Sequence, residues 1–223
     1  WLMYDVAYYG SAQFTPTMTA AVFGEGDDDD AVILTNAYHD IIGIAAGAPA
    51  CLHALWALKS MGTKRLQVWG FVWIGVMCYL IATFWGPLGG TDHEEDDGDD
   101  DPTVANDGAD DDRDPALSAI LFTLYVLFTA AVNWGPNMST FVLPQEVFRP
   151  DVTATFNGIA AASGKTGAFL GVWVFDGIYN ALGMIPLMVL VGSLNILGAI
   201  ISQTCISDDL WARQREQAAL RDH

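Results

Sequence analysis

Six long apolar segments, each with few or no charged residues, restrict the fold of this 223-residue chain more than any other feature. A helix that crosses the hydrocarbon core of a bilayer needs roughly 20 mostly apolar residues. The sequence therefore predicts an all-α membrane protein. Its six transmembrane helices are expected over residues 1–23, 32–58, 66–88, 116–143, 152–182 and 184–206.

The formal net charge of −18 belongs to two loops rather than to the predicted helices. Residues 24–31 hold five acidic side chains, and residues 91–115 hold thirteen acidic side chains and one basic one, Arg113. The loop at about 89–115 has too few apolar residues to bury a core, which predicts a solvated, disordered segment. Its aspartates lack the alternating ligand spacing of a calcium-binding EF-hand loop. No basic patch exists to neutralise phosphates, so a nucleic-acid partner is not expected.

The remaining basic residues predict how the chain is oriented in the membrane. They fall in loops at one end of the predicted helices and in the polar tail, residues 207–223, whereas the acidic loops lie at the other end. Basic loops mark the cytoplasmic side. We therefore expect a cytoplasmic tail and outward-facing acidic loops, an arrangement compatible with the plasma membrane. The basic residues are Lys59, Lys64, Arg65, Arg149, Arg213, Arg215 and Arg221.

Two ionisable residues within the predicted helices are the first candidates for function, because charge at membrane depth is costly and usually functional. Asp5 is the first of the two and is a potential proton carrier. It shares a helix face with Trp1 and Tyr9, which lie four residues before and after it. This face offers an indole N–H, a carboxyl and a phenol. The alternative is an aromatic packing stripe whose acid pairs with a neighbouring helix.

Lys165 is the second candidate, a fixed positive charge in the fifth predicted helix. The string Gly164-Lys165-Thr166 is not a phosphate-binding P-loop, because the upstream glycine has the wrong spacing and no strand precedes it. Small residues here, including Gly167 and Gly171, predict close helix packing. A lysine on such a helix is expected to face the bundle interior or a cavity. It would meet either an anionic substrate or a permanent ion-pair partner.

The fourth predicted helix contains Gly135 and Pro136, which loosen the backbone beside Asn137. Loosened helices at mid-membrane often line transporter sites, and an asparagine can both donate and accept hydrogen bonds. Cofactor and metal chemistry are not expected, because the three cysteines are scattered through apolar runs and no ligand cluster is apparent. The sequence shows no pairing of a nucleophile with a base, so an enzyme is not expected.

Three blocks together resemble the phosphate:proton symporter family of the major facilitator superfamily. They are WLMYDVAYYG at residues 1–10, GPNMSTFVLPQEVF at 135–148 and NGIAAASGK at 157–165. The resemblance covers nearly the whole chain except the acidic loops and the tail. It implies that the six helices form the C-terminal half of a twelve-helix fold with a central site between pseudo-symmetric halves. A chain that begins inside an apolar run without Met agrees with the expectation that an N-terminal six-helix half is missing.

The resemblance also assigns residues to roles. It implies substrate-binding positions at Trp1, Asp5, Tyr9, Asn137 and Lys165, with Asp5 linked to proton coupling. Two departures concern the predicted cytoplasmic rim. The family usually has two arginines after the GPNMSTFVLPQEVF block and an acid before the turn that follows the second helix. Here both arginines are absent, and Lys59 stands at the place of the acid.

The resulting expectation is proton-coupled transport of inorganic phosphate by alternating access, with phosphate, protons and membrane lipid as partners. An oxyanion in a low-dielectric site needs a fixed positive charge, which Lys165 supplies, and several donors, which Trp1, Tyr9 and Asn137 supply. Two alternatives remain. One is a carrier for another anion, a sugar or an organic ion, because this fold hosts many substrates. The other is a phosphate sensor that does not transport.

Overall fold

A computed structural model describes residues 1–13, 15, 29–86 and 115–207. These residues form seven α-helices, and no β-strand occurs among them. We number the helices α1 to α7 in chain order. They are α1 Leu2–Ala12, α2 Asp29–Met61, α3 Thr63–Trp85, α4 Pro115–Trp134, α5 Pro136–Val147, α6 Thr153–Leu182 and α7 Met184–Cys205.

Four stretches of the described chain are long and apolar enough to cross a membrane: Thr63–Trp85, Ala119–Val147, Thr153–Leu182 and Met184–Cys205. The prediction of an all-helical protein is confirmed for the residues that the structure describes. The predicted segment 32–58 lies inside α2, and the segment 1–23 begins with α1. Nearly all of the acidic loop and of the predicted tail lies outside the described residues.

The predicted fourth span is divided in two at Gly135, where α4 ends and α5 begins. Pro136 has no N–H, so it cannot donate to the carbonyl of Val132 one turn earlier. The hydroxyl of Tyr4 in α1 donates to that carbonyl instead, at 3.3 Å. The next carbonyl, of Asn133, accepts from the thiol of Cys51 in α2 at 3.6 Å. Side chains from two neighbouring helices thus replace backbone hydrogen bonds lost at the break.

The core lies between α3, α4 and α7, with α1 against its edge. Phe71, Ile74 and Cys78 project from α3 towards α7 at a helix-like spacing. Glycines on α7 let the two helices approach, because a Cβ at Gly198 would lie 3.0 Å from the Phe71 ring and one at Gly192 would lie 3.1 Å from Tyr79. Close packing of this kind stabilises helices in lipid, where no hydrophobic effect drives them together.

A second contact, between α1 and α6, depends on glycines in α6. A Cβ at Gly167 would lie 3.1 Å from the carbonyl carbon of Leu2, and one at Gly171 would lie 3.0 Å from that of Val6. Both neighbours are backbone atoms, which cannot rotate away. The predicted close packing through Gly167 and Gly171 is therefore confirmed, and α1 is the helix that packs there.

Hydrogen bonds and a turn hold the predicted cytoplasmic ends of the helices. Gly62 joins α2 to α3 with φ of 81°, a backbone conformation that favours glycine. The next residue, Thr63, donates to the carboxylate of Glu146 in α5 at 2.6 Å. Arg149 pairs with its near neighbour Asp151 at 3.3 Å, and both side chains are mostly exposed. Exposed pairs of this kind contribute little to stability.

Candidate substrate site

The predicted polar face of α1 lies against α6. Asp5 is 5% exposed and packs beside Gly164. A Cβ at Gly164 would lie 2.7 Å from the Asp5 carboxylate oxygen and 2.8 Å from the Trp1 ring. Glycine at this position therefore makes room for both side chains. The described residues provide no hydrogen bond to the Asp5 carboxyl.

Lys165 follows Gly164, and its ammonium donates to the Tyr9 hydroxyl at 3.1 Å. The same nitrogen lies 4.9 Å from the centre of the Tyr9 ring, which adds a cation–π contact. An ammonium carries three hydrogens, so two remain for a ligand. Tyr9 accepts from Lys165, so its own O–H remains available to donate as well. Asp5 packs against the preceding residue, Gly164, so a carboxyl group and an ammonium group lie on the same α1–α6 contact.

Lys165 is exposed among the residues that the structure describes, and its expected position facing the bundle interior or a cavity stays a prediction. The reason for the exposure is helical geometry. Successive residues turn about 100° around the axis, so a lysine next to Gly164 sits at the edge of the stripe that Gly164, Gly167 and Gly171 form against α1. Its ammonium therefore lies on an open side of the α1–α6 pair.

Trp1 contacts α5 through both its indole N–H and its ring. Its single indole N–H donates to the backbone carbonyl of Thr140 in α5 at 2.7 Å. Its ring also meets Phe141 edge-on, with centroids 4.9 Å apart. While the bond to Thr140 is in place, the indole N–H cannot donate to a ligand. Trp1 instead ties the Asp5 face of α1 to α5, the helix that carries Asn137.

Asn137 belongs to a chain of side-chain hydrogen bonds that crosses the helix break. Its amide nitrogen donates to the Asn133 side-chain oxygen at 3.1 Å. The Asn133 amide nitrogen donates in turn to the Thr129 carbonyl at 2.9 Å. Asn133 was not a candidate from the sequence. The spacing of Thr129, Asn133 and Asn137, four residues apart each time, is the signal that could have found it.

A cleft of about 400 Å³ opens beside this chain of hydrogen bonds, between α1, α2 and α4. None of the five predicted site residues lines it, whereas Asn133 does. The part of its wall that the structure describes is largely apolar with a few hydroxyl groups, and no lysine or arginine occurs in that part. The lining residues are Tyr8, Ser11, Ala12, Thr15, Gly47, Ala48, Cys51, Tyr125, Phe128, Thr129, Val132, Asn133 and Met188.

The structure thus brings Trp1, Asp5, Tyr9 and Lys165 together along the α1–α6 contact, and it connects Asn137 to them through α5. Across the described ranges no group of three or more His, Cys, Asp or Glu side chains is placed to hold a metal ion. The arrangement offers one cation, one carboxyl and several neutral donors. That set can bind an anion but provides no nucleophile activated by a base.

A protein-family profile described as "Sugar (and other) transporter" matches residues 6–206. The chain belongs to this family. Curated relatives include the inorganic phosphate transporter PT2 of Toxoplasma gondii, which is 32% identical over 91% of this chain and 31% of the relative. The probable inorganic phosphate transporter 1-6 of Arabidopsis thaliana is 24% identical over 92% of this chain and 36% of the relative.

The probable inorganic phosphate transporter 1-9 of rice, Oryza sativa subsp. japonica, is 28% identical over 91% of this chain and 33% of the relative. The resemblance to phosphate transporters that the sequence motifs indicated is confirmed. The chain spans about a third of the length of these relatives. Because the chain belongs to this transporter family and has helices apolar enough to cross a membrane, it is an integral membrane protein of the transporter class.

Proposed function

We propose that the full protein transports inorganic phosphate across a membrane together with protons, by alternating access. The present chain supplies six membrane spans of the C-terminal half, with α4 and α5 together forming one span, and an N-terminal half completes the site. The names of the relatives support phosphate as the substrate. One side of α6 is apolar and exposed, since Phe169 and Trp173 are 67% and 70% exposed. This supports a partner half or lipid that covers that side of the helix. We assign the protein to the plasma membrane.

The observation that carries this proposal is the Lys165–Tyr9 pair beside Asp5. A dehydrated phosphate needs a positive charge and several donors to replace its lost water. Lys165 supplies the charge and two free N–H groups, and Tyr9 supplies a free O–H. Asn137 adds an amide N–H from α5. Trp1 contributes by holding α1 on α5 rather than by donating to the ion.

Asp5 provides a physical basis for proton coupling. An ionised carboxylate beside Lys165 repels an incoming anion and competes for the same cation. Protonation removes the negative charge, so proton and phosphate bind together more favourably than either alone. Loss of the proton on the cytoplasmic side would then favour release of phosphate. Burial of Asp5 beside Gly164, with no hydrogen bond from the described residues, leaves the carboxyl free to change its protonation state.

The experiment is labelled-phosphate uptake by the full-length protein at about pH 5 and about pH 8, values on either side of neutrality. We expect faster uptake at the acidic pH. Lys165→Ala should weaken apparent phosphate affinity roughly 10-fold to 100-fold, the range for a hydrogen bond to a charged group. Thr166→Ala, which changes the next, exposed residue of α6, is the matched control and should leave uptake unchanged.

Asp5→Asn tests the coupling separately, because asparagine keeps the size of the side chain but never carries a charge. We expect phosphate exchange without accumulation against a gradient. Accumulation by this variant would contradict the role of Asp5 as the coupling acid. Transport of a sugar or another anion, with phosphate failing to compete, would replace the proposed substrate. Phosphate binding without any flux would indicate a sensor.

A further inference from the structure

We propose that Asn133 is a positioning residue that holds the Asn137 amide in the orientation needed to donate to phosphate. This inference rests on the proposed function of the site and adds a residue that neither the motifs nor the relatives' names assign to it. It is drawn from the hydrogen-bond chain that runs from Thr129 through Asn133 to Asn137.

The direction of that chain is determined at its Thr129 end. A backbone carbonyl can only accept, so the Asn133 group facing Thr129 must be its amide nitrogen. The Asn133 oxygen therefore faces Asn137 and accepts from its amide nitrogen at 3.1 Å. A flipped Asn137 would place two oxygens against each other. The chain of hydrogen bonds from Thr129 through Asn133 to Asn137, the relay, thus keeps the Asn137 amide nitrogen turned towards Asn133. The second N–H of that nitrogen has no acceptor among the described residues.

Because the helix is broken between Asn133 and Asn137, the orientation of Asn137 depends on the Asn133 side chain. In an unbroken helix, residues four apart are held by the backbone itself. Asn133 lies in α4 and Asn137 lies in α5, with Gly135 and Pro136 between them. No described backbone hydrogen bond links Asn137 to the Asn133 carbonyl, which instead accepts from Cys51. The side-chain bond therefore spans the break and connects Asn137 directly to α4.

The Asn133 side chain packs against α2 at Gly47. A Cβ at Gly47 would lie 2.8 Å from the Asn133 amide nitrogen and 3.1 Å from its side-chain carbon. Glycine at position 47 thus leaves the space that the Asn133 side chain occupies. This contact provides a second variant, Gly47→Ala, which would displace the relay without removing any polar group.

The test is phosphate-uptake kinetics of the full-length protein. Asn133→Ala should raise the KM for phosphate about threefold to tenfold, the range for one hydrogen bond, with little change in maximal rate. The Asn133 side chain faces the cleft, so shortening it to alanine creates space rather than a clash. Asn133→Asp should raise KM further, because a carboxylate cannot donate to Thr129 and adds negative charge near the ion. Gly47→Ala should raise KM in the same direction.

Two comparisons separate positioning from general damage. Asn195→Ala removes another buried asparagine that donates to a carbonyl one turn earlier, at 2.8 Å, but lies in α7. It should change protein yield or thermal stability rather than KM. The double variant Asn133→Ala with Asn137→Ala should match Asn137→Ala alone, because the relay acts only through Asn137.

Three results would overturn the inference. The first is an unchanged KM in Asn133→Ala, or in Gly47→Ala if the first variant does not fold. The second is an equal rise in KM in Asn195→Ala, which would show a general packing effect. The third is additivity in the double variant. Absence of phosphate uptake by the unsubstituted protein would be a separate result, which refutes the proposed function and this inference together.

Discussion

Replacing Gly167 by alanine is expected to force α1 and α6 apart, because the new methyl group would meet backbone atoms that cannot move aside. The added Cβ would lie 3.1 Å from the Leu2 carbonyl carbon and 3.2 Å from its Cα. Carbon atoms pack best at about 3.5–4.0 Å. The Leu2 carbonyl oxygen would lie closer still, so the helices must separate by roughly half an ångström or more near position 167.

The size of the effect follows from the kind of contact. Extra methyl groups in well-packed regions cost about 1–3 kcal/mol. Alanine is also the better helix former by up to about 1 kcal/mol, which partly offsets this loss. Gly177→Ala, on the same helix, gains the same helix propensity but meets no other atom, because nothing lies within 4 Å of its Cβ position. Comparing the two variants therefore isolates the cost of the clash at position 167. Gly167→Ala should thus be less stable than Gly177→Ala by about 1–3 kcal/mol.

The assay is thermal unfolding of the full-length protein in detergent, followed by the loss of the monodisperse peak on size exclusion. Gly167→Ala should unfold at a lower temperature than Gly177→Ala, by an amount on the order of a few degrees. It should also weaken phosphate uptake, because the same contact sets the distance between Asp5 and Lys165. Equal midpoints for the two variants would refute the reasoning that the α1–α6 contact is limited by backbone atoms at Gly167.

Two further predictions concern hydrogen bonds between helices. Trp1→Phe removes the bond to the Thr140 carbonyl but keeps an aromatic ring against Phe141, so stability should fall by about 1 kcal/mol, measured by thermal unfolding. Phosphate KM should change less than in Lys165→Ala, and an equal change would show that the indole N–H contacts the ion. Thr63→Val leaves the Glu146 carboxylate without its 2.6 Å donor and should cost about 1.5–3 kcal/mol, whereas Thr63→Ser should retain most of the stability. Equal midpoints for Val and Ser at position 63 would contradict this.

Local patterns in the sequence were sufficient for several features of the site. Trp1, Asp5 and Tyr9 share a helix face because the helical repeat places residues four apart on one side. Gly167 and Gly171 indicated a close contact because small residues allow backbones to approach. Gly135 and Pro136 indicated a loosened helix because proline cannot donate to the preceding turn. Each of these conclusions depends on residues near one another in the chain.

Other features depended on which helices become neighbours, and no local pattern contains that information. The contact between α1 and α6 brings Tyr9 to Lys165 across 156 positions of sequence. The hydrogen bond from the Trp1 indole to the Thr140 carbonyl likewise joins residues 139 positions apart.

From sequence alone one could predict an all-helical membrane protein, its family and the residue types of a candidate anion site. These follow from hydropathy, helical spacing and motif, which are properties of short stretches of chain. Helix packing was needed to show which donors already have partners among the described residues, that Lys165 lies on an open side of the α1–α6 pair, and that Asn133 bridges the break at Gly135. The physical reason is that a hydrogen bond satisfied by one neighbour is unavailable to another, and neighbours are assigned only when the helices pack.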